Sequence, residues 1–169
     1  APGRPYKAYV HLTATPEGDI APLGRVEDLG PATSAMIRDW LAGSRVTVTP
    51  VLDPDRGDPI DAHDPPEWMR ELVIARDQHC VFPDCRRPAR RCDLDHISTW
   101  IDPAHGGPPG QTHPGNLAPL CRRHHRAKTT TDPTKQWRYR RMDHGHYTWT
   151  GPQDQRLVVV PGIGTYSPL

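Results

Sequence analysis

Two short cysteine and histidine motifs limit the possible folds of this chain. Cys80 and Cys85 are separated by four residues and Cys121 and His124 by two, and 35 residues lie between the two motifs. Structural zinc sites take four sulfur or nitrogen ligands in a tetrahedral arrangement. The spacing therefore predicts that Cys80, Cys85, Cys121 and His124 close on one structural Zn²⁺ ion.

The composition indicates why such a chain would need a metal ion. Of its 169 residues, 21 are Pro and 14 are Gly, only 35% are hydrophobic and a single one is Phe. The length suffices for one domain with a core or for two small ones. Because apolar bulk is scarce, we expect few and short helices, and a core to which the bound metal contributes.

The four cysteines also permit a disulfide interpretation, which has three connectivities and requires an oxidising compartment. Residues 1–5 include no Met and lack the basic-then-apolar pattern of a signal peptide. We therefore expect part of a longer, cytoplasmic protein. Cys92 has no close partner in the sequence, and we expect it to be a buried thiol.

Membrane insertion finds no support in the apolar runs. The longest of them, Leu72 to Ala75 and Leu157 to Val160, are far shorter than the roughly 18 residues needed to cross a bilayer. The sequence therefore predicts no membrane association, and it carries no indication of an oligomeric state.

Hydrophobic periodicity and turn residues predict a mixed, α+β fold. The first part, a small α/β segment interpreted as scaffold, contains predicted strands at residues 9–13 and 45–52, a helix of about ten residues ending before Gly43, and a helix around residues 68–75 with Asp64 as its N-cap. The later part contains predicted strands at residues 92–97 and 116–121, a helix from Cys121 to about Thr130, a hairpin at residues 137–150 and a short strand at residues 156–161.

The helix that begins at Cys121 carries two adjacent histidines. Residues three and four apart share a helix face, so His124 lies on the face of Cys121. His125 is turned about 100° away from it. We therefore expect His124 to face zinc and His125 to serve a second site.

Four further residues have the chemistry of a hydrolytic metal site. Asp95 offers an oxygen ligand and His125 an imidazole ligand for a hard divalent ion. His96 has the near-neutral pKa that suits a general base, and Asn116 could hold its ring by a hydrogen bond. Because consecutive strand residues point to opposite faces, Asp95 and His96 can share a site only at a strand end, at a bulge, or from two sides of the scissile phosphate.

The net charge of +1 hides an asymmetry along the chain. Residues 1–79 contain eight basic and thirteen acidic residues, a net charge of −5, whereas residues 86–141 contain twelve basic and four acidic residues, a net charge of +8. A concentrated basic charge is the pattern of a surface that meets phosphates, although a solvated basic face would show it as well.

These motifs together resemble the HNH endonucleases, whose ββα-metal (His-Me) finger carries an Asp-His pair, an Asn and a His. The matching strings are Arg76-Asp77-x-x-Cys80-x-Phe82-Pro83-x-Cys85, Asp95-His96-Ile97, Gly106-Gly107, Asn116-Leu117 and Cys121-Arg122-Arg123-His124-His125-Arg126-x-Lys128. The chain is similar to actinobacterial, including mycobacterial, HNH proteins in which a domain of unknown function precedes the nuclease. One difference is that His124 stands where many members have a fourth cysteine, and Cys₃His is an acceptable zinc shell.

The resemblance implies a role for each matching residue. Asp95 and His125 would hold one Mg²⁺ ion, or Mn²⁺ or Ni²⁺ in its place, with His96 as the general base that Asn116 positions. The products would carry 5′-phosphate and 3′-hydroxyl ends. Basic residues would contact neighbouring DNA phosphates, namely Arg122, Arg126, Lys128, Arg138, Arg140 and Arg141.

The resemblance also implies a domain organisation. Residues 1–65 would be the last part of the upstream domain, and residues 66–169 the HNH nuclease, with its core at 76–131 and a C-terminal hairpin at 137–150. The alternative function is a zinc-stabilised nucleic-acid-binding module without catalysis, because the zinc ligands and the basic segment require no catalytic set. RNA is a second candidate substrate.

Overall fold

A computed structural model of the protein describes residues 8–43 and 56–167 and divides the chain into two units between residues 50 and 51. Residues 56–65 thus lie in the second unit, where Ile60 pairs with Thr112. The assignment of residues 1–65 to an upstream domain stays a prediction. The strand predicted at residues 45–52 lies outside the described residues.

The first unit contains three antiparallel strands and one helix: β1 (Val10–His11), β2 (Leu23–Val26), β3 (Gly30–Thr33) and α1 (Ser34–Leu41). The Thr33 hydroxyl accepts a hydrogen bond from the backbone N–H of Met36 at 3.1 Å, which caps the first turn of α1. Ile37 packs from this helix against Val26 and Ala32 of the sheet. The sequence predicted the helix and the first strand, but not β2 and β3.

The second unit begins with α2 (Glu67–Asp77). Its N-cap is Pro66, so the predicted cap at Asp64 is wrong; the Asp64 carboxylate lies 2.8 Å from the ring of His63 instead. Proline suits this position because its fixed φ matches the start of a helix and its missing N–H would have no partner there.

Two strands and a helix follow: β4 (Asp93–His96), β5 (Leu117–Leu120) and α3 (Arg122–Thr129), close to the predicted bounds. β4 and β5 are antiparallel, with His96 opposite Leu117. The Gly- and Pro-rich loop between them contains two single 3-10 turns, and a third precedes β4; their bounds are Pro103–His105, Pro114–Asn116 and Ala89–Arg91.

The C-terminal part forms a four-stranded antiparallel sheet in chain order: β6 (Arg138–Arg141), β7 (Tyr147–Thr150), β8 (Arg156–Val160) and β9 (Gly164–Tyr166). The predicted hairpin is β6 and β7, so it is part of a larger sheet rather than a separate element. β9 was not predicted because three residues beginning with Gly carry too little strand signal.

The core of the second unit joins aromatic rings to cysteines. Tyr147 and Trp149 of β7 are fully buried, and Cys80 and Cys121 belong to the same cluster. The indole N–H of Trp149 donates to the Val81 carbonyl at 2.7 Å. The thiols therefore lie where a protein with more apolar residues would place aliphatic side chains.

A buried polar network connects α2 to the strands around it. The Arg76 guanidinium donates to the carbonyls of Pro114 at 2.6 Å and Leu117 at 2.7 Å, and to the Tyr147 hydroxyl at 3.0 Å. The Tyr147 hydroxyl donates to the Asp77 carboxylate at 2.9 Å. This network holds the end of α2 against β5 and β7.

None of the helices within residues 8–43 and 56–167 has the length and apolar character that a membrane span requires.

Candidate functional site

The structure brings together the four residues predicted as zinc ligands. One ligand atom from each of Cys80, Cys85, Cys121 and His124 lies within 4.8 Å of all the others. The His124 Nδ1 atom lies 3.5 Å from the Cys80 sulfur and 3.3 Å from the Cys121 sulfur. Tetrahedral ligands at ordinary Zn–S and Zn–N bond lengths would be about 3.6 Å apart. The cluster could therefore hold a metal ion such as zinc.

Local structure sets the direction of each ligand. Cys121 is the N-cap of α3, and its carbonyl accepts from the backbone N–H of His124 at 2.8 Å. A turn in which the Cys85 N–H donates to the Phe82 carbonyl at 3.1 Å brings Cys85 back towards Cys80. The Phe82 ring stacks on the His124 imidazole at 3.8 Å between centroids and so holds its plane.

The protonation of the cysteine thiols here depends on whether a cation is bound. Burial raises the pKa of the Cys85 thiol to about 12, and a hydrogen bond with Cys92 and burial raise that of Cys80. Burial and the neighbouring Arg123 lower the pKa of His124, so its ring is neutral at neutral pH. A bound cation would supply the charge that stabilises thiolates here.

Cys92 lies beside this cluster and outside it. Its side chain is buried, as predicted, and its thiol lies 3.4 Å from the Pro88 carbonyl. All four cysteines are free of disulfides in the structure.

A second cluster forms between β4 and α3. The Nε2 atom of His125 lies 3.2 Å from Asp95 Oδ1. His124 and His125 thus face different groups, as the assignment of His125 to a second site requires.

The other oxygen of Asp95 has two donors. The Lys128 ammonium and the Tyr139 hydroxyl each lie 2.7 Å from Asp95 Oδ2, and Lys128 also donates to the His96 carbonyl. Only 13% of the Lys128 side chain is exposed. This placement corrects the prediction that Lys128 contacts nucleic acid, because its charge is used inside the cluster.

His96 is the last residue of β4, and its ring points to the loop between β4 and β5. Its Nε2 atom lies 2.8 Å from the Thr112 hydroxyl, which is fully buried and 3.5 Å from the His63 carbonyl. Burial and the nearby His63 ring lower the pKa of His96, so the imidazole is neutral at neutral pH. A neutral imidazole is the form that can accept a proton.

Asn116 does not contact the His96 ring as the sequence predicted. Its side-chain oxygen accepts from the Ser98 N–H at 2.8 Å, and its NH₂ donates to the carbonyls of Ser98 at 3.2 Å and Gln111 at 2.8 Å. An amide has both donors and an acceptor, and here all of these bonds go to backbone. Asn116 therefore ties the two ends of the loop together, and Thr112 takes the place beside His96.

The remaining basic residues lie on α3 and β6, and two of those on β6 line a shallow cleft. Arg122, Arg126, Arg138 and Arg140 are exposed, and Arg122 lies 3.3 Å from Asp93 Oδ1. A cleft of about 600 Å³ is lined by Asn116, His113, Arg140 and Arg141 among others, with no acidic side chain in its lining. The Arg141 Nε atom is buried and has no hydrogen-bond partner among the described residues.

Three residues of this region escaped the sequence prediction: Thr112, Tyr139 and Asp93. Thr112 lies in an irregular loop, where spacing carries no information about contacts. The sequence contained a weak signal for Tyr139 and Asp93. Alternation along a strand, for example, places Asp93 on the same face as Asp95.

Two uncharacterized proteins of Mycobacterium tuberculosis are similar to this chain. Rv2100 is 32% identical over 161 residues, which are 93% of this chain and 28% of the relative. Rv3776 is 35% identical over 104 residues, which are 62% of this chain and 18% of the relative. The chain thus spans less than a third of the length of these relatives. No family model and no solved structure matches it.

Proposed function

We propose that this chain is the nuclease part of a metal-dependent HNH endonuclease that hydrolyses DNA phosphodiester bonds. The observation that carries the proposal is the pair Asp95 and His125, whose ligand atoms face each other at 3.2 Å. A neutral histidine, His96, directly follows Asp95 on the same strand.

The separation of these two atoms fits a divalent ion. Adjacent ligands of an octahedral ion with bonds of 2.0–2.1 Å are about 3.0 Å apart. One carboxylate and one imidazole suit Mg²⁺, Mn²⁺ or Ni²⁺, with the other positions open to water and phosphate oxygens. The bound ion would stabilise negative charge on the phosphate and on the leaving 3′ oxygen.

The chain's own residues would perform the proton transfer. Because the Thr112 hydroxyl donates to the His63 carbonyl, we assign it as the acceptor of the His96 Nε2–H, which leaves the free lone pair at Nδ1. Nδ1 would then accept the proton of the attacking water. Lys128 and Tyr139 hold Asp95 Oδ2, so that Oδ1 stays directed towards His125. The expected products carry 5′-phosphate and 3′-hydroxyl ends.

The zinc cluster, the basic cleft and the order of the elements fit the same function. The run β4, β5 and α3 carries the pair and its neighbours in the order expected of a ββα-metal finger, and the Cys₃His cluster would hold the structural zinc. The cleft beside Arg140 and Arg141 would receive backbone phosphates, because it has basic and no acidic lining. Residues 1–65 would belong to the upstream domain, and the protein would act in the cytoplasm.

A cleavage panel tests the proposal. Supercoiled plasmid is incubated with the protein and Mg²⁺, Mn²⁺, Ni²⁺ or Zn²⁺, and nicked and linear forms are separated on a gel. We expect cutting with at least one ion, none without an added ion, and 5′-phosphate ends that ligase can rejoin. A gel shift of the plasmid without cutting under every ion would favour the zinc-stabilised binding module. Cutting of labelled RNA but not of the plasmid would make RNA the substrate.

Replacing Thr112 by Val tests the assignment of Nδ1 as the reacting nitrogen. Valine has the shape of threonine but no hydroxyl, so His96 Nε2 loses its partner. A hydrogen bond of about 1 kcal/mol corresponds to a fall in kcat of about fivefold to tenfold, with little change in KM for DNA. Steady-state cleavage of a labelled duplex measures both constants. Thr112→Ser keeps the hydroxyl and should retain near wild-type kcat; equal losses in both variants would contradict the assignment.

Replacing Arg140 by Gln tests the cleft as a phosphate site. Each phosphate contact contributes about 0.9 to the slope of log affinity against log salt concentration on duplex DNA. We expect weaker binding at low salt and a slope smaller by about 0.9, measured by fluorescence anisotropy with uncut DNA in buffer without added divalent ion. Arg38→Gln removes an exposed arginine of α1 and serves as the matched control. An unchanged slope for Arg140→Gln would exclude this cleft from the DNA path.

A further inference from the structure

The His125 ring lies between two carboxylates of the same strand. Its Nε2 atom is 3.2 Å from Asp95 Oδ1, and its Nδ1 atom is 3.4 Å from Asp93 Oδ2. Asp93 and Asp95 are two residues apart on β4, and alternate residues of a strand share a face. Both edges of the imidazole therefore meet a carboxylate.

The two carboxylates differ in their other partners. Asp95 Oδ2 already accepts from Lys128 and Tyr139. Asp93 Oδ1 faces Arg122 at 3.3 Å, whereas Asp93 Oδ2 is buried and has no hydrogen bond among the described residues. Leaving a buried carboxylate oxygen unpaired is unfavourable. The Nδ1 atom of His125 lies 3.4 Å from this oxygen and could donate to it.

We propose that Asp93 is a positioning residue that keeps the His125 proton on Nδ1 and thereby frees Nε2 to bind the divalent ion. A neutral imidazole has one N–H and one lone pair, so a partner that fixes the proton on one nitrogen commits the other. Histidines that bind metals commonly donate their second N–H to a carboxylate, which fixes the ring and raises its basicity. The inference rests on the proposed function because it takes His125 as a ligand of the catalytic ion.

Either neutral tautomer turns the lone pair of one ring nitrogen towards a carboxylate oxygen. At Nε2 that oxygen belongs to Asp95, whose charge Lys128 and Tyr139 offset, whereas at Nδ1 it would be the Asp93 oxygen that has no hydrogen bond, so the tautomer with its proton on Nε2 is disfavoured. The present separation of 3.4 Å exceeds that of a well-formed N–H···O bond, and a small rotation of either side chain would close it.

The test reads the tautomer and the affinity for metal separately, both on the full chain without nucleic acid. Long-range ¹H–¹⁵N correlation spectra of ¹⁵N-histidine-labelled protein, at a pH where the ring is neutral, show which nitrogen of His125 carries the proton. Titration with Mn²⁺ followed by EPR gives the affinity for a divalent ion. Asp93→Leu removes the acceptor, Asp93→Asn keeps an acceptor oxygen without the charge, and Asp132→Asn removes a carboxylate from a surface turn as control.

We expect the proton on Nδ1 in the wild type and a mixture of tautomers in Asp93→Leu, with Mn²⁺ bound about tenfold to a hundredfold more weakly. Asp93→Asn should lie between the two, and Asp132→Asn should match the wild type. A proton on Nε2 in the wild type, or wild-type Mn²⁺ affinity in both Asp93 variants, would overturn the inference. A wild type that binds Mn²⁺ with Nδ1 protonated but cuts no DNA would support this role of Asp93 and contradict the nuclease alone.

Discussion

Replacing His96 by Ala is expected to lower the rate of DNA cleavage by about 10²-fold to 10⁴-fold, the usual contribution of a general base. The reason is the position and state of the ring. It ends β4 directly after Asp95, burial keeps it neutral, and Thr112 occupies Nε2 so that Nδ1 is the nitrogen left to take a proton. Single-turnover cleavage at saturating protein measures this loss without interference from binding.

The controls separate chemistry from folding. His105→Ala removes a histidine from an exposed turn of the same loop and should leave the cleavage rate unchanged. His96→Ala should retain its zinc content, and DNA binding without added divalent ion should stay within about twofold, since neutral histidine adds no charge to the interface. Cleavage by His96→Ala within a few-fold of the wild type would show that another group accepts the proton.

The features that could be predicted from sequence are those set by local geometry. Cysteine and histidine spacing identified the four clustered ligands, and the rotation of 100° per helix residue separated His124 from His125. The strands β4 and β5 followed from short apolar runs bounded by Gly, Pro and Cys, and the helix α3 was predicted directly after β5. These predictions succeed because the residues of a strand or helix are neighbours along the chain, and because cysteine and histidine side chains can share one metal ion as ligands.

The features that could not be predicted depend on contacts between distant segments. Thr112 reaches His96 because the loop folds back over residues 60–63, and no periodicity describes that path. The sequence predicted Lys128 as a surface cation, but its long aliphatic chain places the ammonium at Asp95. Long basic side chains readily adopt such a placement. Asn116 had the right chemistry to hold His96, but the loop backbone offered it more partners.

The second large effect concerns the Cys₃His cluster. Replacing Cys121 by Ser is expected to abolish zinc binding and to unfold the second unit at room temperature. Structural zinc sites contribute roughly 10–16 kcal/mol of apparent binding free energy, which is as large as the whole stability of an ordinary domain, about 5–15 kcal/mol. Here the ligands belong to the core itself, since Cys80 and Cys121 pack in the cluster of Trp149 and Tyr147.

Metal analysis and tryptophan fluorescence check this expectation together. The wild type should contain one zinc per chain, and removing it with a strong chelator should expose Trp149 and shift its emission to the red. Cys92→Ala is the matched control, because it deletes a buried thiol beside the cluster but no ligand. We expect it to keep one zinc and to lose only about 1 kcal/mol of stability, the usual effect of a small core deletion. Wild-type zinc content in Cys121→Ser would show that Cys121 is not a ligand, and a zinc-free variant with the wild-type melting temperature would show that aromatic packing alone holds the unit.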